Sequence, residues 1–156
     1  MSILNALMSS TTIEWRQEPH SLDDVLAWFD AHHCVLVAEE EGEIVGLAAF
    51  GPFRDIVKWP GYRFTVENTI HIRQDRWGSG IGTALMTALI AAARAAGKHS
   101  MIAAVDGSNE RSIQFHERLG FVRVAQMPEV GAKFGEWLDL VLLEFLLDDR
   151  SRPGED

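Results

Sequence analysis

Apolar and polar positions along the chain alternate between two periods. Leu22, Val25, Leu26 and Phe29 recur three and four residues apart, the spacing of a helix with one apolar side. Ser21 precedes them and Asp24 stands three residues on, a capping-box start. Cys34 to Ala38 reads as a strand, Glu41-Gly42 as a turn, and Glu43 to Phe50 as the hairpin partner. The stretch from Gly51 to Gly61 holds two prolines and two glycines and predicts a loop. From Phe64 to Arg73 the period is two: Val66, Asn68, Ile70 and Ile72 share one face, and Thr65, Glu67, Thr69 and His71 the other. A long helix follows over Ile81 to Ala96, ended by Gly97, then a strand from Ser100 to Val105. A second helix starts near Asn109 and stops at Gly120, and Phe121 to Gln126 makes a strand. Pro128, Gly131 and Gly135 predict a loop, after which the apolar run Trp137 to Leu147 suits a strand covered on both faces. The pattern is α/β: one central mixed sheet with helices on its faces. Residues 1–147 read as a single domain, and 148–156 as a frayed acidic tail.

Composition narrows the ligand classes. The 156 residues carry a net charge of −9, which argues against nucleic acid as a partner, because phosphate-backbone binding needs clustered positive charge. No apolar run reaches the length of a membrane span, and Met1 to Ser10 has neither a basic nor a long apolar region, so no membrane or export signal is expected. The one cysteine, Cys34, excludes an intrachain disulfide, and the cytoplasm is the expected compartment. His32 and His33 stand beside Cys34 without a metal-ligand spacing, so no metal is expected; both suit the negative end of a helix. A small polyanionic ligand remains open, since it needs only local N–H donors and one or two cations. Arg73 and Arg76 flank a glycine cluster that meets this description.

That cluster is Gln74-Asp75-Arg76-Trp77-Gly78-Ser79-Gly80-Ile81-Gly82-Thr83, between a strand and a helix. It lacks the lysine of a P-loop, and its glycines are spaced G-x-G-x-G instead of G-x-G-x-x-G. A pyrophosphate loop of coenzyme A acyltransferase type and a helix entry without ligand both remain open on spacing alone. A second segment bears on the choice. Asn109-Glu110-Arg111-Ser112-Ile113-Gln114-Phe115-His116-Glu117-Arg118-Leu119-Gly120-Phe121 resembles the N-x-x-S/A-x-x-x-Y/H-x-x-x-G-F junction of the GNAT acyltransferase superfamily, in the expected order after the loop. Thr65-Val66-Glu67, the stretch from Gln126 to Asp139, and Thr11 to Trp15 resemble the phosphinothricin and methionine sulfoximine (methionine sulfone) N-acetyltransferase branch. The sequence departs from that pattern twice. The chain starts, at Ser2 to Met8, inside what should be the first helix, so the first strand is expected to be missing, either absent from the protein or lost to a shortened start. Trp77 stands where the family generally has Gln or Arg.

The resemblance implies acetyl transfer from acetyl-CoA to an amine by direct attack, without an acyl-enzyme. It implies Glu67 as general base and His116 as the acid or hydrogen-bond donor to the departing thiolate. The donor would be held by the backbone at Ile70, His71 and Ile72, by Arg76, Trp77, Gly78, Ser79, Gly80, Ile81, Gly82 and Thr83, and by Asn109 and Ser112. A small amino-acid-like acceptor would meet Phe53, Arg54, Tyr62 and Arg63, with Trp59 as a further apolar wall and the arginines pairing with its carboxylate. Lys133 and Phe134 would close the site near a homodimer interface. A protein N-terminus, a polyamine or an aminoglycoside as acceptor, or a non-catalytic acetyl-CoA-binding module, stay open at this level.

Overall fold

The computed structural model describes Trp15 and residues 18–153; the Ser2 to Met8 stretch lies outside the described residues. In chain order the elements are α1 (Leu22–Ala31), β1 (Cys34–Glu40), β2 (Glu43–Pro52), β3 (Thr65–Ile72), α2 (Ile81–Ala95), β4 (Ser100–Asp106), α3 (Glu110–Arg118), β5 (Val122–Lys133) and β6 (Glu136–Leu146). Among the described residues the strands form one six-stranded sheet in the order β1-β2-β3-β4-β6-β5. All pairs are antiparallel except β3–β4, which is parallel and short: Thr65, Val66 and Glu67 pair with Ser100, Met101 and Ile102. Beyond Glu67 the two strands part. Asn68 spans the start of the gap, its side-chain amide donating to the Ile102 carbonyl at 3.3 Å.

Local chemistry accounts for most boundaries. The Ser21 hydroxyl accepts from the Asp24 amide while the Asp24 carboxylate accepts from the Ser21 amide, the capping box that the spacing predicts. Helix α2 ends in a Schellman turn: Gly97 takes φ 68° and the Lys98 amide reaches back to the Ala93 carbonyl. The turn between β1 and β2 holds Glu41 and Gly42 at φ 53° and 82°, the left-handed pair of a two-residue hairpin.

Helix α1 forms where the spacing predicts it, although it buries no residue fully and Leu22, Leu26 and Phe29 stay exposed. One reading of the pattern needs correction. The loop expected around Pro128 is instead part of β5, which runs unbroken to Lys133. A proline is tolerated there because β5 lies at the edge of the sheet, where the missing N–H breaks no ladder bond to an outer strand. The register slips between Met127 and Gly131, with Glu129 at φ 56° and its amide held by the Asp139 carboxylate at 2.9 Å.

The core is built on α2. Leu85, Met86, Leu89, Ile90 and Ala93 form its buried stripe, packed with Phe50, Val66, Met101, Val105, Ile113 and Leu143. This fixes the start of α2 against the end of β3, where the glycine loop lies. Leu89 is fully buried, and Leu89→Ala should lower the unfolding free energy by about 2–5 kcal/mol. A urea midpoint within error of the parent protein would show that this stripe does not anchor the helix.

Candidate active site

Where β3 and β4 diverge, the sheet opens into a cavity of about 390 Å3. Its walls come from three places: the end of β3 (Ile70, His71, Ile72), the glycine loop with the start of α2 (Arg76, Trp77, Gly78, Gly80, Gly82, Thr83), and one face of α3 (Asn109, Arg111, Ser112, Phe115, Arg118). Of the residues expected to hold a donor, Ser79 and Ile81 stand outside this wall. The Ser79 hydroxyl is spent on the Arg76 carbonyl at 2.6 Å, and Ile81 packs against the core.

The loop suits a polyanion. Gly78 and Gly80 take φ of 80° and 89°, and a side chain on either would meet no atom within 4 Å. Glycine is therefore required by backbone geometry, and the space it leaves belongs to the cavity mouth. Gly80 is the N-cap of α2 and provides no side-chain cap; the Ser79 hydroxyl accepts from the Ile81 amide at a long 3.5 Å, and the positive end of this 15-residue helix faces the cavity mouth. The loop's own cations are less free than the sequence implies. Arg73 pairs with Glu43 and Asp75, each at 2.7 Å, and Arg76 with Glu40 at 2.6 Å and Asp75 at 2.9 Å. These acidic partners neutralise both arginines and tie the loop to the β1–β2 hairpin.

Asn109 caps α3, accepting from the Ser112 amide at 3.1 Å. Its helix then presents Arg111, Phe115 and Arg118, spaced i, i+4, i+7, along the cavity. The sequence reading missed these three. Continuing the helical face from Asn109 and Ser112 would have found them. His116 points elsewhere: it is 2% exposed and forms no part of the cavity wall. Its Nδ1 donates to the Ser112 carbonyl at 2.8 Å and its Nε2 lies 3.3 Å from Asn68 Oδ1. Burial pushes its pKa down, outweighing the Ser112 bond, so the neutral ring is favoured.

Among the residues expected to serve the acceptor, Glu67 is half-buried on β3, opposite Gly51 in the register. Burial pushes its carboxyl up, and the nearby Arg54 guanidinium opposes the shift. Cross-strand partners point the same way, and on this face the His32 ring edge fills the space a Gly51 side chain would take, 3.1 Å from that position. Phe53 and Tyr62 pack ring to ring at 5.9 Å, with Arg54 above Phe53 at 5.1 Å. Arg63 turns away onto Phe64, 4.5 Å from its ring. Lys133, 3% exposed, and exposed Phe134 sit at the β5–β6 turn and are not part of the cavity wall; the Lys133 ammonium lies 5.0 Å from the Phe134 ring. No group of metal-ligating side chains occurs among the described residues, and no described helix is long and apolar enough to cross a membrane.

Comparison with known proteins agrees with this geometry. The model of the acetyltransferase (GNAT) family matches residues 1–121. The chain belongs to the GNAT family. It is 43% identical to an L-methionine sulfoximine/L-methionine sulfone acetyltransferase of Pseudomonas paraeruginosa, over 98% of this chain and 91% of that protein. The yncA structure from Salmonella typhimurium, solved with its cofactor acetyl-CoA, superposes with a TM-score of 0.91 at 39% identity, covering 98% and 89% of the two chains. A phosphinothricin acetyltransferase from Sinorhizobium meliloti in complex with acetyl-CoA gives 0.91 at 29% identity, over 99% and 85%. The family places this chain among acetyl-CoA-dependent N-acetyltransferases, and the start of α2 with its open glycine loop is a fitting cradle for that donor's phosphates.

The raised pKa of Glu67 has a consequence for stability. A carboxyl that binds its proton more tightly when folded favours folding below its ordinary pKa, and that contribution is lost as pH rises through the raised value. Glu67→Gln should therefore raise the urea midpoint at neutral pH, and the difference should shrink at low pH where the parent carboxyl is protonated. A variant less stable at neutral pH would show that the folded state favours the carboxylate.

Proposed function

We propose that the chain acetylates the amino group of a small amino-acid-like acceptor, by direct attack with donor and acceptor bound together. The observation that carries this is the half-buried Glu67 on β3, upstream of the cavity, with the Arg54 guanidinium of the preceding loop near enough to oppose the rise in its pKa. A carboxylate able to take a proton beside a guanidinium able to hold a carboxylate is what a zwitterionic acceptor demands. A polycationic acceptor would meet Arg54 as a like charge. The names of the similar proteins, which act on methionine sulfoximine, methionine sulfone and phosphinothricin, support the same class.

Bound acetyl-CoA supplies the activated acetyl group. Glu67 takes a proton from the acceptor ammonium, directly or through one water, which frees the lone pair for attack; burial brings its pKa towards the working pH. Backbone N–H groups of the Ile70–Ile72 stretch receive the charge that develops on the carbonyl oxygen. The second proton leaving the nitrogen neutralises the departing thiolate. For His116 the buried ring, committed to Ser112 and facing Asn68, supports holding α3 against β3 over direct proton donation. Phe53 and Tyr62 form the apolar wall, while Arg63, stacked on Phe64, is assigned to the entrance of the loop. A homodimer belongs to the same reading: Phe134 and Trp137, exposed at the β5–β6 turn beside buried Lys133, offer apolar contacts to a second copy. A cytoplasmic setting suits the free Cys34 thiol.

The test is thiol release from acetyl-CoA against methionine sulfone, methionine sulfoximine, phosphinothricin, standard amino acids, spermidine and a short peptide. Release with the amino-acid-like group is expected; release confined to spermidine or the peptide would refute the acceptor class, and silence with donor still bound would favour a binding module. With an active acceptor, Glu67→Gln should lower kcat by roughly 10²–10⁴-fold. The parent's kcat/KM should rise with pH as Glu67 loses its proton, with a midpoint above the ordinary carboxylate range. Arg54→Ala should raise the acceptor KM and move that midpoint higher, since the opposing charge is gone. An unmoved midpoint would dissociate Arg54 from the base.

A further inference from the structure

The donor brings several negative charges into a protein already at −9, and the two loop arginines have their charge spent. Arg73 and Arg76 are held by Glu40, Glu43 and Asp75 at 2.6–2.9 Å. A cation free to add to the loop's N–H groups has to be sought on another element. Arg111, on α3 across the cavity, is exposed and lies 4.1 Å above the Trp77 ring, and no carboxylate pairs with it among the described residues. Trp77 is itself fixed, its indole N–H donating to the Ile72 carbonyl, the last residue of β3, at 2.9 Å. The three groups form a chain across the mouth of the cavity: strand end, indole, guanidinium.

Two features single this arginine out. Stacking uses the face of the guanidinium and leaves the N–H groups around its edge available, the geometry that binds phosphate oxygens in pairs. Arg111 also occupies the first turn of α3, where the helix dipole disfavours a cation. Local helix preference therefore does not explain it, whereas an anion in the cavity does. We propose that Arg111 is the cation that meets a phosphate of the donor's nucleotide half, and that Trp77 is the residue that positions it. The assignment rests on acetyl-CoA as donor and is independent of which acceptor is used.

Calorimetric titration with coenzyme A, which carries no acetyl group, reads this without catalysis. Arg111→Ala should weaken binding roughly tenfold or more and make it less sensitive to salt. The KM for S-acetylpantetheine, which has no nucleotide, should stay at the parent value. Titration with 3′-dephospho-coenzyme A separates the two phosphate sources. An equal loss assigns Arg111 to the pyrophosphate, and a loss that disappears assigns it to the 3′-phosphate. Trp77→Leu should approach the Arg111→Ala affinity, Trp77→Phe should fall between, and the Trp77→Leu/Arg111→Ala double variant should bind no worse than Arg111→Ala alone. Parent-like affinity in Arg111→Ala, or an equal loss with S-acetylpantetheine, would overturn the phosphate contact. Additive losses in the double variant would overturn the positioning role of Trp77.

Discussion

The site depends on how briefly β3 and β4 stay together. Three residue pairs join them, from Thr65–Ser100 to Glu67–Ile102, and then the parallel ladder stops. A sheet that parts in its middle exposes backbone donors and acceptors that must find other partners. Asn68 captures the Ile102 carbonyl at the fork, and further along Trp77 takes the carbonyl of Ile72. The cavity occupies the rest of the opening. Glu67 sits on the last paired residue, so the proposed base is held rigidly where the ladder ends.

Around this fork the two halves of the chemistry separate. Downstream on β3 the wall is backbone, glycine and helix end, the means by which a protein holds phosphates without many cations. Upstream it is a half-buried carboxyl, a guanidinium and aromatic rings, suited to a small zwitterion. Burial disfavours Glu67 as a carboxylate, at some cost in stability, and in the proposed mechanism the same burial would fit it for proton transfer.

Much of this was legible from residues in order. Period-two alternation gave β3, helical spacing and Gly97 gave α2, and the Ser21–Asp24 and Asn109–Ser112 caps set two helix starts. Most residues of the cavity wall, though not Arg111, Phe115 or Arg118, follow from motifs that lie on contiguous stretches. Information that lives between stretches stayed hidden. Nothing local says that Glu40 and Glu43 reach Arg76 and Arg73, or that Arg111 lies over Trp77. His116 follows the motif by position, yet its burial and its partners depend on how α3 packs against β3. Pro128 misled because a proline rules out a central strand and not an edge strand, and edge position is a property of topology.

That edge governs how copies of the chain can meet. An open edge strand invites pairing with a like strand, and pairing of that kind can repeat without end. On β5 the invitation is withdrawn midway: Pro128 has no N–H to offer, and the Glu129 bulge takes its amide inward to Asp139. A continuous ladder cannot grow across this segment. The proposed homodimer would therefore be held by exposed side chains such as Trp137 and not by a ladder that can propagate into a fibre.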